Sequence, residues 1–169
     1  LLQDAHLQAR CLDTLRMLRD ESASLAPLAI VGLPLRLGGA LYNVAAVVHR
    51  GRILGVVPKA YLPNYREFEE ARWFRPGVEV PANGTIELCG DTVPFGMDLL
   101  FADASDGDLV IGVEICEDCW VPIPPSTFQA MAGATMLCNL SASNFIVGKA
   151  ELRRMLANSI ADRCKAAYI

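Results

Sequence analysis

The stretch Leu109-Val110-Ile111-Gly112-Val113-Glu114-Ile115-Cys116-Glu117-Asp118 decides how the chain is read. Leu109 to Ile115 is a nearly continuous apolar run, the pattern of a strand buried on both faces. It gives way at Cys116 to an acid-rich turn. Layered α/β folds expose reactive groups at strand ends. Cys116 therefore reads either as a nucleophile or as a structural thiol packed like a small apolar side chain, and its placement alone leaves both readings open.

Working outward, short strands are expected at Ala29 to Leu33, Thr85 to Leu88, Leu99 to Ala102 and Met136 to Leu140. Tyr42 to Val48 and Ile53 to Val57 flank the polar turn His49-Arg50-Gly51-Arg52, which predicts a hairpin that delivers Lys59. Helices are expected from Leu1 to about Ser22, on the buried stripe Cys11, Leu15, Leu18, and around Leu152, Met155, Leu156 and Ile160. Pro122-Ile123-Pro124-Pro125 forces extended backbone, after which Ser126 can cap a helix through Ala134. Tyr65 to Arg72 predicts a helical turn running into the loop signal Arg75-Pro76-Gly77. Strands alternating with helices imply a layered α/β domain.

Composition narrows the function classes. A chain of 169 residues, 53% hydrophobic and 20% charged, is large and apolar enough for a packed core. Its net charge of −4 offers no basic face to nucleic acid. Every apolar run is broken well short of the roughly 20 residues of a membrane span, so a soluble protein is expected. The six cysteines lack the dense spacing of a secreted scaffold, and a reducing, cytoplasmic setting fits best. The chain opens without Met and stops at Tyr168-Ile169, which reads as the start of a strand; it is expected to be a fragment truncated at both ends.

A nucleophilic cysteine needs a base and a group that steadies its thiolate, and the adjacent Glu117 and Asp118 work against the thiolate. The two histidines, His6 and His49, fall on a helix and at a hairpin turn, where surface roles are expected. Lysine is scarce, with only Lys59, Lys149 and Lys165 against twelve arginines. Lys59 at the end of an apolar strand reads either as a solvated side chain or as an ammonium that offsets the acids and polarises a carbonyl oxygen. Cys116 and Cys119 also form a C-x-x-C pair, which raises metal and redox readings, but it supplies only two of the four ligands of a structural zinc site, and the two acids between the thiols oppose the low pKa of a disulfide exchanger.

Four ordered motifs then carry a resemblance that runs over essentially the whole chain. They are Val57-Pro58-Lys59-Ala60-Tyr61-Leu62-Pro63-Asn64-Tyr65; Glu67 to Arg75, ending in Trp73-Phe74-Arg75-Pro76-Gly77; Ile115-Cys116-Glu117-Asp118-Cys119-Trp120; and Asn139-Leu140-Ser141-Ala142-Ser143 with Gly148-Lys149. The set resembles the carbon–nitrogen hydrolase, or nitrilase, superfamily, and within it the amidotransferase (glutaminase) domain of glutamine-dependent NAD synthetases. The resemblance implies a four-layer αββα sandwich, with residues 1–169 forming part of one such domain. It implies a Glu-Lys-Cys triad with Lys59 as lysine and Cys116 as nucleophile, an oxyanion site shared by the Lys59 amine and the Glu117 N–H, and Glu70 as a supporting glutamate.

Tyr65, Phe68, Glu117, Trp120, Ser143 and Lys149 match positions that shape the glutamine pocket. The family's general-base glutamate belongs to a motif upstream of the segment that Leu1-Leu2-Gln3-Asp4 resembles, and Glu67, Glu69 and Glu114 do not match it. The fragment alone is therefore expected to be inactive. No cofactor is expected in this domain; ATP, Mg and nicotinic acid adenine dinucleotide are expected at a synthetase domain of the same polypeptide, and a homo-oligomer is expected. The rival readings are a stand-alone amidase acting on another small amide and a non-catalytic nitrilase-like scaffold.

Overall fold

The computed structural model describes residues 2–144 and 146–169. The chain divides into two compact units, Leu1–Met97 and Asp98–Ile169.

In the first unit, helix α1 (Ala5–Glu21) starts where the Asp4 side chain accepts a hydrogen bond from the Leu7 N–H at 3.0 Å. That cap sets the start later than the sequence predicts; Leu1 itself lies outside the described residues. Leu15 is 2% exposed and anchors the core as expected, but Leu18 lies at the surface. Arg19, one residue on, falls nearer the centre of the buried face and donates to the Cys89 carbonyl at 2.8 Å. Gln8, not apolar, takes the buried position one turn before Leu12, donating to the Leu2 carbonyl and accepting from Arg36.

The helix packs on a five-stranded sheet of β1 (Ala29–Leu37), β2 (Ala40–His49), β3 (Arg52–Pro58), β4 (Gly84–Leu88) and β5 (Asp91–Phe95), in the order β1-β2-β3-β5-β4. Neighbours are antiparallel except β3 and β5. Leu33, Leu35, Val44, Ala46, Val48, Val56 and Phe95 form the core with Leu15. The expected hairpin is β2 and β3, turned by Arg50 and Gly51 at φ of 45° and 77°, the backbone of a two-residue turn that follows strand twist. β1 runs four residues beyond the expected Leu33 because Pro34 is tolerated in an edge strand. β5 was not expected: Asp91, Thr92 and Pro94 are exposed, and it meets β3 in register only at Val56 and Phe95.

The second unit holds a sheet of β6 (Leu100–Ala102), β7 (Val110–Glu114), β8 (Met136–Asn139) and β9 (Ala167–Tyr168), in that order. β6 is antiparallel to β7 and the other pairs are parallel. Helix α2 (Pro125–Met131) packs on β7, and α3 (Lys149–Cys164) packs beside α2 and β9. Cys119, Ala134, Leu137, Ile160 and Ala166 form this unit's core.

Two helix expectations are corrected here. α2 ends at Met131 rather than Ala134, with Gly133 at a φ of 106° turning the chain into β8. Ser126 is not its cap but lies inside the first turn after Pro125; the Ser126 N–H donates to Glu114 Oε2 at 3.0 Å. In α3, Ile160 is fully buried while Leu152 and Met155 are 44% and 62% exposed. Its packed face runs through Leu156, Ala157, Ile160 and Cys164, a stripe rotated from the expected one.

Candidate active site

In the first unit, the end of β3 places Lys59 in the interior at 1% exposure, so it is not the solvated side chain that the sequence left open. A buried ammonium requires a partner. Its Nζ donates to both Oε1 and Oε2 of Glu70, each at 2.7 Å. Glu70 opens a short 3-10 turn (Glu70–Arg72), and its peptide is held on both sides. Its N–H donates to the Pro63 carbonyl, and its carbonyl accepts from the N–H groups of Trp73 and Phe74. The Lys59 backbone is held as firmly, its N–H donating to the Asn43 carbonyl at 2.8 Å and its carbonyl accepting from the Gly77 N–H at 2.6 Å. The segment between Lys59 and Gly77 therefore closes on itself around one ion pair. A hollow of about 760 Å³ in the same unit is bordered by Ala60, Tyr61, Trp73, Phe74 and Arg75, with neither Lys59 nor Glu70 in its lining.

Cys116 stands in the second unit where β7 passes into a 3-10 turn (Cys116–Trp120). Its φ is +48°, in the left-handed region that costs an L-residue about 1–2 kcal/mol. Such a conformation persists only where neighbours over-determine it. Asp118, 1% exposed, accepts the Ile115 N–H at 2.9 Å, and the Asp118 N–H returns a bond to the Ile115 carbonyl at 3.1 Å. On the far side, Asn139 Oδ1 accepts the Cys116 N–H at 3.1 Å and Asn139 Nδ2 lies 3.4 Å from the Cys116 carbonyl.

The two thiols of the C-x-x-C pair have different environments. Cys116 is half-buried, whereas Cys119 is 7% exposed and donates to the Cys116 carbonyl at 3.1 Å. Burial, opposed by a hydrogen bond to Tyr168 and reinforced by the Glu114 charge, pushes the Cys119 thiol up to about 12. Cys119 is thus a thiol at neutral pH, while a metal ligand or exchanging thiol acts as thiolate. Among the described residues no group of three or more His, Cys, Asp and Glu side chains gathers for a metal.

The sequence named Glu114 only as a carboxylate outside the family motif and Asn139 only as part of one, and assigned neither a role. Glu114 is 1% exposed, and its carboxylate accepts from the Tyr168 hydroxyl at 2.6 Å, Asn139 Nδ2 at 3.2 Å and the Ser126 N–H at 3.0 Å. The available signal was a lone carboxylate in a strand buried on both faces, which must find donors.

Four of the other predicted residues form two pairs, each within one unit. Tyr65 and Phe68 stack edge to face with ring centroids 6.0 Å apart, Tyr65 being half exposed. Lys149 Nζ lies 5.7 Å from the centroid of the Trp120 ring and donates to Asn144 Oδ1. Glu117 and Ser143 are half-buried in the turn after Cys116 and the segment after β8. Trp120, Asn139, Ser141, Arg153 and Tyr168 border a cavity of about 190 Å³.

No family model matches the chain. A glutamine-dependent NAD(+) synthetase of Mycobacterium tuberculosis is 53% identical over 169 residues, covering 100% of this chain. The chain spans 24% of that relative's length. Among solved structures, a glutamine-dependent NAD(+) synthetase from Cytophaga hutchinsonii superposes over 99% of this chain and 26% of its own, with a TM-score of 0.80 and 29% identity. An amidase of Nesterenkonia from the nitrilase superfamily superposes over 97% of this chain and 55% of its own, with a TM-score of 0.69 at 18% identity, a likeness of fold. Along its whole length the chain is similar to a segment of the longer glutamine-dependent NAD(+) synthetases, and it shares the fold of the nitrilase superfamily.

Proposed function

We propose that this chain is part of a glutaminase domain, spanning residues 1–169, in which Cys116 attacks the side-chain amide of glutamine. The observation that carries the reading is the half-buried Cys116 held at a φ of +48° on the end of a buried strand, with a carboxylate network behind it. The Cys116 sulfur adds to the amide carbon, the C–N bond breaks and ammonia leaves. Water then cleaves the thioester, releasing glutamate and restoring the thiol. Lys59, fixed by Glu70, takes the part of the ammonium that meets the developing oxyanion, with the Glu117 N–H as second donor. Tyr65, Phe68, Glu117, Trp120, Ser143 and Lys149 serve the glutamine pocket. The general base is assigned to no residue of this chain.

The ammonia serves an ATP- and Mg-dependent conversion of nicotinic acid adenine dinucleotide to NAD on a synthetase domain of the same polypeptide, working as a homo-oligomer in the cytoplasm. Support comes from relatives that are named glutamine-dependent NAD(+) synthetases and match the whole of this chain. Among the described residues no helix is long and apolar enough to cross a membrane. The fold shared with an amidase keeps a second reading, hydrolysis of another small amide.

The test is covalent labelling of the full-length protein by a glutamine-mimicking diazoketone, with peptide mapping. Modification of Cys116 alone, suppressed by excess glutamine, is expected. Labelling spread over several thiols without protection by glutamine, or a Cys116→Ser protein with full glutamine-dependent activity, sinks the reading.

A further inference from the structure

We infer that Tyr168, Glu114 and Asn139 form a positioning relay that fixes the peptide of Cys116 and so aims its thiol; the inference rests on Cys116 being the nucleophile. The relay is built by strand register. β7 and β8 pair Glu114 with Asn139, and β9 lies beside β8 with Tyr168 opposite Leu137. Glu114 and Asn139 thus stand side by side at the ends of β7 and β8, and Tyr168, two positions back in register on β9, reaches Glu114 with its hydroxyl.

Each member has one consistent set of hydrogen bonds. Tyr168 donates to Glu114 Oε1 at 2.6 Å, and burial first, then the charge of Glu114, pushes its phenol well above the ordinary tyrosine range, so it remains a donor. Glu114 accepts from Tyr168, Asn139 and the Ser126 N–H. The Asn139 amide cannot flip, because Nδ2 faces the Glu114 carboxylate while Oδ1 accepts from the Cys116 N–H and from Ser141 Oγ at 2.6 Å. Turning it over would set acceptor against acceptor and donor against donor. Glu114 therefore fixes the orientation of Asn139, and Asn139 satisfies the N–H of a residue held at positive φ. Relaxation of that φ would swing the sulfur, and a misplacement of ~1 Å costs on the order of 10²-fold in rate.

The test uses the full-length protein with Glu114→Gln, Asn139→Ala, their double variant and Tyr168→Phe. Four quantities are read: the rate of Cys116 labelling by the glutamine-mimicking diazoketone, its rate of alkylation by iodoacetamide, kcat and KM for glutamine, and the thermal midpoint. Glu114→Gln is expected to lower the diazoketone rate and kcat by about tenfold or more with KM within about twofold, since directed attack is lost while the pocket stays. The double variant is expected to be no slower than the slower single variant, as residues acting in series are non-additive. Iodoacetamide, a small undirected reagent, is expected to react within about threefold of wild type, which a collapsed site would not allow.

A wild-type diazoketone rate in Glu114→Gln, multiplicative losses in the double variant, or a loss confined to KM overturns the relay. Should Glu114→Gln fail to fold, Tyr168→Phe decides: a loss of about threefold or more supports the relay, and a smaller one overturns it. Wild-type protein that escapes the diazoketone at Cys116 defeats the glutaminase reading itself, a result distinct from any ranking of the variants.

Discussion

The N–H of Gly77 donates to the carbonyl of Lys59 at 2.6 Å, tying the end of the Trp-Phe-Arg-Pro-Gly motif to the strand end that presents the lysine. A Cβ at Gly77 would lie 2.8 Å from the carbonyl oxygens of both Lys59 and Pro58. Backbone atoms cannot yield as a flexible side chain can. Gly77→Ala is therefore expected to cost about 1–3 kcal/mol in urea denaturation and, on the proposed function, to lower glutamine hydrolysis by the full-length protein with it. A variant that unfolds at the wild-type midpoint would show that the close approach imposes no constraint.

The Lys59 and Glu70 pair makes an asymmetric prediction. Removing one partner leaves the other buried and unpaired, a cost of 3–5 kcal/mol in fully buried pairs; with the Glu70 side chain 24% exposed, Glu70→Leu is expected at the low end, about 3 kcal/mol. Lys59→Met combined with Glu70→Leu should recover much of that stability without recovering activity, which should stay down by on the order of 10² or more. Denaturation curves and glutamine hydrolysis on the three proteins check both halves. Recovery of activity in the double variant would remove Lys59 from the chemistry.

Backbone conformation at Cys116 sets function against stability. Cys116→Gly is expected to unfold at higher denaturant than Cys116→Ala, by about 1 kcal/mol, because glycine adopts a φ of +48° without the steric cost. On the proposed function, both variants of the full-length protein should fail to hydrolyse glutamine. Equal stabilities would mean that the surrounding hydrogen bonds, and not the residue, absorb the strain.

Cys119 predicts an alkaline limit. Its thiol is pushed up from 9.0 to about 12 in the folded chain, so above pH 9 the unfolded chain binds fewer protons than the folded one. Stability from this group is whole below pH 9 and drains as pH rises toward about 12, with a slope of at most ~1.4 kcal/mol per pH unit. Cys119→Val should flatten the stability curve between pH 9 and 10.5 relative to wild type. Superimposable slopes would show that Cys119 titrates as an ordinary thiol.

The legible part of the fold was the part written in local pattern. The apolar run into Cys116, the hairpin before Lys59 and the proline-forced start of α2 follow from spacing and turn chemistry, and the elements stand within a few residues of where they were expected. Glu70 came from the resemblance, and geometry sets it against Lys59. What stayed hidden depends on partners distant in sequence. The Tyr168 and Glu114 bond joins residues 54 positions apart, and its existence depends on the order of three strands. The misread face of α3 has the same origin, since its neighbours and not its own leucines choose which stripe is covered. β5 escaped because its alternation is only two apolar residues long, Val93 and Phe95, and Pro94 between them argues against a strand.

The parallel pairing of β7 with β8 sets Glu114 opposite Asn139 two positions before Cys116. Because side chains alternate across a strand, a slip of one residue would replace the carboxylate by Val113 or Ile115 and turn the row toward the other side of the sheet. Tolerance of length change should therefore be uneven along this unit. Loops such as residues 103–108, exposed and joined by local turns, can lengthen, whereas a single-residue insertion within β7 or β8 erases the alignment at once. Drift in this protein is accordingly free in loop length and locked in strand phase.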